Sequence, residues 1–345
     1  MAILLRHIRL IVGALVLACM AVAAAPAGAQ HINPTAESVK EEQLLKEAKR
    51  ISGECTLPDR KACTLEQPRG QDWRYWYQVP LRLVGGLAIL GMIGVVIAFY
   101  LYRGPVKIAH GRSGRVMVRF HAFERFMHWL ATACFIILAL SGLNLTFGKA
   151  LLLPAIGPEA FAAISRLGKY AHNYLSFPFT LSVIVIFLMW VRWNLPTRLD
   201  LQWMKEGGGF GEKHPPADLF HVGQKSIFWV VVLGSAVVAA TGYVLMFPFL
   251  VTGIVGMQLA QLVHALVALL YVAAMVFHIY MGTVGEEGAF EGMWDGTVDE
   301  EWSKQHHSVW YEREVGKGNI PRVPAEGGLQ PAAKPSTDDR LQPAG

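Results

Sequence analysis

The sequence predicts an all-α integral membrane protein, a four-helix bundle with one extra transmembrane helix on its N-terminal side. Three observations predict it. Five apolar stretches (residues 81–102, 126–147, 172–193, 227–247 and 257–281) each approach the roughly 20 residues that a bilayer requires of a helix. The 345 residues are 53% hydrophobic and 17% charged, the composition of a membrane protein rather than a soluble domain. Lys and Arg collect in alternate connections, as they do in multi-pass chains.

The elements follow in order. Residues 1–29 read as a secretory signal: Arg6 and Arg9 precede an apolar core over 10–22, and "APAGA" ends at Ala29 with small residues for cleavage. The alternative is an uncleaved anchor helix; a lipoprotein site at Cys19 is disfavoured by Leu17. Residues 30–80 form a polar segment expected in the periplasm. There, "GECTLPDRKACTLE" holds Cys55 and Cys63, and a disulfide between them suits an oxidising compartment. Two free thiols or a partner contact remain the alternatives. Cys134 lies in an apolar span and reads as packing.

The extra span over 81–102 follows Trp73, Trp76 and Tyr77 and closes on Tyr100 and Tyr102, an interfacial aromatic belt at each end. Orientation comes from the basic residues. Arg103, Lys107, Arg112, Arg115, Arg119 and Arg125 lie between the first two spans, and Arg192, Arg198, Lys205, Lys213 and Lys225 flank the connection between the third and fourth. The other two connections hold only Lys149, Arg166 and Lys169. The expected location is a bacterial inner membrane, with the N-terminal segment periplasmic and the tail 283–345 cytoplasmic and disordered at its end. The formal net charge of +5 therefore records topology, not nucleic-acid binding. No P-loop, dinucleotide fingerprint or Cys-x-x-Cys pair is present, so any chemistry belongs to the bundle.

Of twelve histidines, His128, His172, His264 and His278 fall within or at the ends of spans. An imidazole in hydrocarbon is costly and marks a functional position by default. His264 and His278 are separated by about 21 Å of helix rise and by about 40° from a whole number of turns, hence on one face. Topology sorts the four by depth, His172 with His264 near the periplasmic side and His128 with His278 near the cytoplasmic side. Facing histidines are what a six-coordinate haem iron needs on its two axial positions. Two haems b stacked across the bilayer follow, with irons about 20 Å apart. Gly142, Gly242 and Ser141 would let a macrocycle approach the backbone, although small residues serve close helix packing equally. A histidine-using metal or proton transporter is the alternative; it would gather its ligands at one depth and add carboxylates, which the fourth and fifth spans lack.

The stretches "RFHAFERFMHW…ALSG", "VGQKSIFW", "VHALVALLYVAAMVFHIYMG" and "EEWSKQHHSVWYERE" resemble the cytochrome b (gamma) subunit of membrane-bound, quinone-linked formate dehydrogenase, over about residues 119–313. The histidine pattern alone would also fit the cytochrome b subunit of a nickel–iron hydrogenase or a related quinone-linked oxidoreductase. The resemblance implies a di-haem core over 119–282, with axial ligands at His128, His172, His264 and His278. It also implies a quinone site beside the cytoplasmic haem, where the family has Asn-x-Gly-Gln-Lys. This chain reads "HVGQK", so Gly223, Gln224 and Lys225 match while His221 replaces the asparagine. A histidine could donate to a quinone carbonyl and relay a proton; the alternative is an ordinary interfacial residue.

The same resemblance implies partners: an iron–sulfur beta subunit that delivers electrons and a molybdenum- or tungsten-containing alpha subunit that oxidises formate. Membrane lipid surrounds the chain, and a higher oligomer of the complex is compatible with it. Because the shortest family members begin near the residue matching Met117, the span over 81–102 is expected to be an additional contact for a partner.

Overall fold

A computed structural model describes residues 69–208 and 215–323 of the chain. The signal, most of the polar segment that follows it, the Cys55–Cys63 pairing and the C-terminal end lie outside the described residues.

Five helices are long and apolar enough to cross a membrane: α1 (Gly70–Arg103), α2 (Ala122–Leu151), α3 (Leu153–Asn194), α5 (Val222–Met246) and α6 (Ile254–Gly285). A short amphipathic helix α4 (Arg198–Lys205) lies between α3 and α5. Each transmembrane helix runs beyond its apolar stretch, because polar residues extend the backbone ladder past the hydrocarbon. The largest extension is in α3, which begins near Leu153 although apolarity begins near His172. Gly157 sits there at φ 80 ahead of Pro158, a left-handed joint that glycine tolerates and proline cannot continue as helix. In α1 the tryptophan belt belongs to the helix itself, which passes Pro80 through a π-turn over Tyr77–Leu81.

The helices pack as a four-helix bundle, α2 against α3, α5 against α6, and α3 against α5; α1 lies outside, against α6. A Cβ at Gly85 would collide with the Leu269 side chain, so glycine lets the α1 backbone approach α6. Phe99 and Tyr100 meet the Tyr280 ring edge-on at 6.2 and 6.5 Å. At mid-depth Phe135, Phe179 and Tyr271 interlock, with Tyr271 bonded to Ser235 at 3.1 Å. Each of these three rings is seven residues, about two turns, from a span histidine.

One end of the bundle carries a small folded cap. Strand β1 (Val116–Val118) pairs antiparallel with β2 (Thr297–Asp299), Val116 opposite Asp299 and Val118 opposite Thr297. Around it stand α7 (Ala289–Trp294), α8 (Glu300–His306) and α9 (Ser308–Gly316). The part of the tail expected to be merely polar is thus folded. Its driving force is apolar burial: Val298 and Trp302 are 0% exposed and Met117 is 1% exposed. Asp299 closes the ribbon, its carboxylate accepting from the Ser113, Gly114 and Glu301 amides. Glu300 sits between Arg115, Lys304 and Tyr311, and Arg112 reaches Glu287 and Glu291. Basic residues that read as a topology signal therefore also pin the cap to the bundle.

Trp302→Ala removes the largest buried side chain of the cap and should cost about 3–5 kcal/mol. The expected result is rapid proteolysis within residues 297–316 while the apolar helices remain protected. An unchanged digestion pattern would show that the cap does not depend on this ring.

Candidate functional site

At the end far from the ribbon, His172 of α3 and His264 of α6 face each other with ring centres 6.1 Å apart. At the ribbon end, His128 of α2 and His278 of α6 do the same at 6.3 Å. The helix faces decide this. α6 presents both of its histidines toward the bundle interior, and α2 and α3 each bring one across from it.

The far pair is held from behind. His172 Nδ1 lies 2.8 Å from Ser141 Oγ, and His264 Nδ1 lies 3.0 Å from the Val238 carbonyl and 3.1 Å from Thr241 Oγ1. A carbonyl only accepts, so His264 carries its proton on Nδ1, and its Nε2 keeps the lone pair. A fixed Nδ1 with a free Nε2 is how a protein orients an imidazole ligand. A Cβ at Gly142 would stand 3.5 Å from His172 Cε1, and one at Gly242 3.1 Å from His264 Cε1. Both glycines clear the space beside the rings. In the near pair, His128 Nδ1 is buried without a hydrogen-bond partner among the described residues.

These dimensions fit a haem. A metal–imidazole bond of about 2 Å, plus about 1 Å from nitrogen to ring centre, puts two trans-axial ring centres roughly 6 Å apart. Among the described residues no group of three or more His, Cys, Asp or Glu side chains is placed to hold a metal ion. The donors come in pairs, which suits an iron already holding four porphyrin nitrogens.

The remaining site residues meet at the ribbon end. His221 is the N-cap of α5: its Nδ1 accepts from the Gly223 amide at 3.1 Å, while Gln224 Oε1 accepts from the His221 amide at 3.3 Å. The proton of a neutral His221 must then sit on Nε2. Gly223 has an ideal Cβ position 3.1 Å from His221 Cε1, so a side chain there would crowd the cap. Lys225 turns the other way, to Asp200 at 2.8 Å and the Leu195 carbonyl at 3.1 Å, and ties α5 to α4. A shallow cleft is lined by His221, Trp203, Asp218 and the Lys225–Asp200 pair.

Two residues here escaped the sequence reading as site residues: Arg119, read only as a topology charge, and His307. His307 Nε2 lies 3.1 Å from Arg119 Nη2, and its ring stacks on His221 at 5.6 Å. The "HH" doublet in the tail was the available signal, but nothing in its spacing brings it to α5. Burial, with the nearby Arg119 charge and His306 adding to it and Asp200 opposing, pushes His221 down to about 3. Burial and the charges of Arg119 and His221 hold His307 well below the usual imidazole range. Arg119 is itself lowered to about 9 by burial, against the attraction of Glu286.

Comparison with known proteins bears on this arrangement. Residues 119–296 match the family described as prokaryotic cytochrome b561. The chain is 27% identical over 222 residues to the cytochrome b556(Fdn) subunit of nitrate-inducible formate dehydrogenase of Escherichia coli K12, covering 62% of this chain and 99% of that one. It is 28% identical over 205 residues to the cytochrome b556(fdo) subunit of formate dehydrogenase from the same organism, covering 58% and 94%. It is 25% identical over 215 residues to the formate dehydrogenase cytochrome b556 subunit of Haemophilus influenzae, covering 61% and 87%.

The depressed histidines make the cap acid-labile. Unfolded imidazoles take up protons near pH 6.5 while the native ones refuse them, so stability falls as pH drops through about 6.5 toward the lowered native values. The protection factors of amides in residues 297–316, taken relative to the intrinsic exchange rate at each pH, should fall on going from about pH 7 to about pH 5. The effect should shrink in His307→Phe. Protection factors equal at both pH values would contradict the assignment.

Proposed function

The chain belongs to the prokaryotic cytochrome b561 family and is a membrane haem b protein, and we propose that it is the membrane cytochrome b subunit of a respiratory formate dehydrogenase. In this reading it links an iron–sulfur partner on one side of the membrane to a quinone on the other. The observation that supports it most is the pair of facing histidines at each end of one apolar bundle, at 6.1 and 6.3 Å. Formate oxidation belongs to a molybdenum- or tungsten-containing partner subunit. The formate dehydrogenase subunits among its relatives are covered by this chain almost end to end, which favours formate over hydrogen as the upstream donor.

Two haems b, when bound, supply reversible one-electron iron couples at two depths. His172 and His264 would hold one iron, and His128 and His278 the other. Ser141, Thr241 and the Val238 carbonyl would keep the far rings turned with Nε2 toward the iron. Phe135, Phe179 and Tyr271 fill the layer between the pairs and exclude water from it. The bias of the basic connections supports a ribbon end in the cytoplasm and an N-terminal side in the periplasm. Moving an electron inward against about 100 mV costs about 2.3 kcal/mol, so in this orientation the subunit would act as a charge-separating device. The Gly70–Arg103 helix, outside the bundle, would serve as an added contact for a partner.

His221, Gly223 and Gln224 would bind the quinone at the ribbon end. The relevant chemistry survives the exchange of the family's asparagine for histidine. An asparagine N-cap accepts a helix N–H on its oxygen and keeps its amide N–H groups free; His221 accepts on Nδ1 and keeps Nε2–H free. Either residue caps the helix and presents a donor to a quinone carbonyl.

The decisive test is haem quantitation and a reduced-minus-oxidised spectrum of the purified chain and its histidine variants. Two haems b are expected. His172→Ala and His264→Ala should each lose one and the same haem, and His128→Ala and His278→Ala the other. A folded chain without haem, or losses that do not follow these pairs, would overturn the reading. Co-purification of a nickel–iron rather than a molybdopterin partner would reassign the donor to hydrogen.

A further inference from the structure

His307 stands at the joint between α8 and α9, beyond the 119–296 family match. Its ring is 0% exposed, and both nitrogens are committed. Nδ1 lies 2.6 Å from the Asp218 carbonyl, which can only accept. The proton is therefore on Nδ1, and the bare Nε2 accepts from Arg119 Nη2 at 3.1 Å. Only one tautomer fits, so this ring is locked rather than free to pass a proton.

On its face lies His221, at 5.6 Å and 23°. On the opposite face of His221 lies Trp203 of α4, at 5.0 Å and 7°. His221 is thus the middle ring of a three-ring stack, and it lines a cleft together with Lys225 and Asp218. The transmembrane bundle supplies neither of the outer plates.

Arg119 is 9% exposed and makes no ion pair among the described residues. Its Nη2 donates to the Leu219 carbonyl at 2.7 Å and reaches Gln224 Oε1 at 3.5 Å. Its guanidinium lies over Trp302 at 4.7 Å and Phe120 at 5.1 Å. A buried cation without a bonded acid is costly to keep, and its field disfavours any second positive charge nearby. The charged and titratable groups facing His221 are Arg119 from the segment before α2, His306 and His307 from the tail, and Asp200 from α4. Only Asp200 favours a protonated His221, and its carboxylate is already shared by Lys225 and the Thr197 cap. Protonation would also put a hydrogen on the Nδ1 that caps α5, and the Gly223 bond would be lost.

We propose that His307 and Arg119 are positioning residues for His221: the His307 ring fixes its plane, and Arg119 fixes it as a neutral imidazole whose single N–H is on Nε2. The quinone end of the protein is then completed by the C-terminal segment, which the β1–β2 ribbon carries onto the bundle. This rests on the reading of His221 as a quinone-binding residue, and the test separates the two.

The full chain, with its partner subunits, is reduced in membranes. Reoxidation of its haem absorbance by menadione and by decylubiquinone is then followed against quinone concentration at several pH values. His221→Ala should slow reoxidation; wild-type kinetics in that variant would sink the quinone reading of His221 and this inference with it. Given a slow His221→Ala, His307→Ala should raise the half-saturating quinone concentration about three- to tenfold, the scale of one lost ring stack, at an unchanged maximal rate. His307→Phe, which keeps the plate, should restore it. Arg119→Gln should behave nearly as wild type at about pH 8 but lose rate on acidification between roughly pH 7 and 5, a limb the wild type lacks. A slow His221→Ala beside wild-type half-saturation in His307→Ala, or beside an Arg119→Gln profile parallel to wild type, would overturn the positioning roles alone. Should His307→Ala lose its haem spectrum, the Arg119→Gln pH profile decides, since glutamine can still bond Leu219 and His307.

Discussion

Four imidazoles inside an apolar bundle impose the constraint on which the rest of the structure depends. Hydrocarbon offers no water to satisfy them, so each ring needs a protein partner on one nitrogen and a purpose for the other. The far pair meets the first need with Ser141, Thr241 and the Val238 carbonyl. The facing geometry within each pair answers the second in the proposed reading, in which two imidazoles about 6 Å apart between ring centres would share one haem iron. Gly142 and Gly242 beside the rings, and the aromatic layer midway between the pairs, follow from the same demand. A side chain too near the rings, or water between the pairs, would cost what the bundle has arranged.

The ribbon end solves a different electrostatic problem. It must present polar donors at the membrane edge without gathering charge there. Arg119 lies buried among Trp302, Phe120 and Trp310, bonded to a carbonyl and an imidazole instead of an acid. Glu286 is raised by its own burial, against its bond to Trp302 and the attraction of Arg119. His221 and His307 remain neutral beside that guanidinium. The acids and bases that do pair, Arg112 with Glu287 and Glu291 and Arg115 with Glu300, sit farther out, where they fasten the tail. The cap therefore combines a charged, adhesive exterior with an interior whose imidazoles are held in single tautomers.

Membership in the cytochrome b561 family and likeness to formate dehydrogenase subunits are consistent with both ends of this design. The likeness is modest in identity but nearly complete across the relatives' length. The Gly70–Arg103 helix lies outside that shared core, and Gly85 and Tyr280 show how it was accommodated: a close backbone approach at Leu269 and edge-on aromatic contacts near its end.

By itself the sequence determined the class, the five long apolar helices and the pairing of His172 with His264 and of His128 with His278. Each of these is a one-dimensional property: apolar length, the side on which basic residues gather, and helical period along one strand of chain. Tertiary structure alone decided that α1 packs against α6, that α3 begins far before its apolar stretch, and that the polar tail folds. It also decided that Arg119 and His307, 188 positions apart, meet over His221. Nothing local encodes that meeting. It depends on β1 and β2 pairing at one end of the bundle after the four long helices between them in sequence have folded back, on the burial of Val298 and Trp302 that makes the pairing stable, and on a buried charge whose effect is felt only at close range.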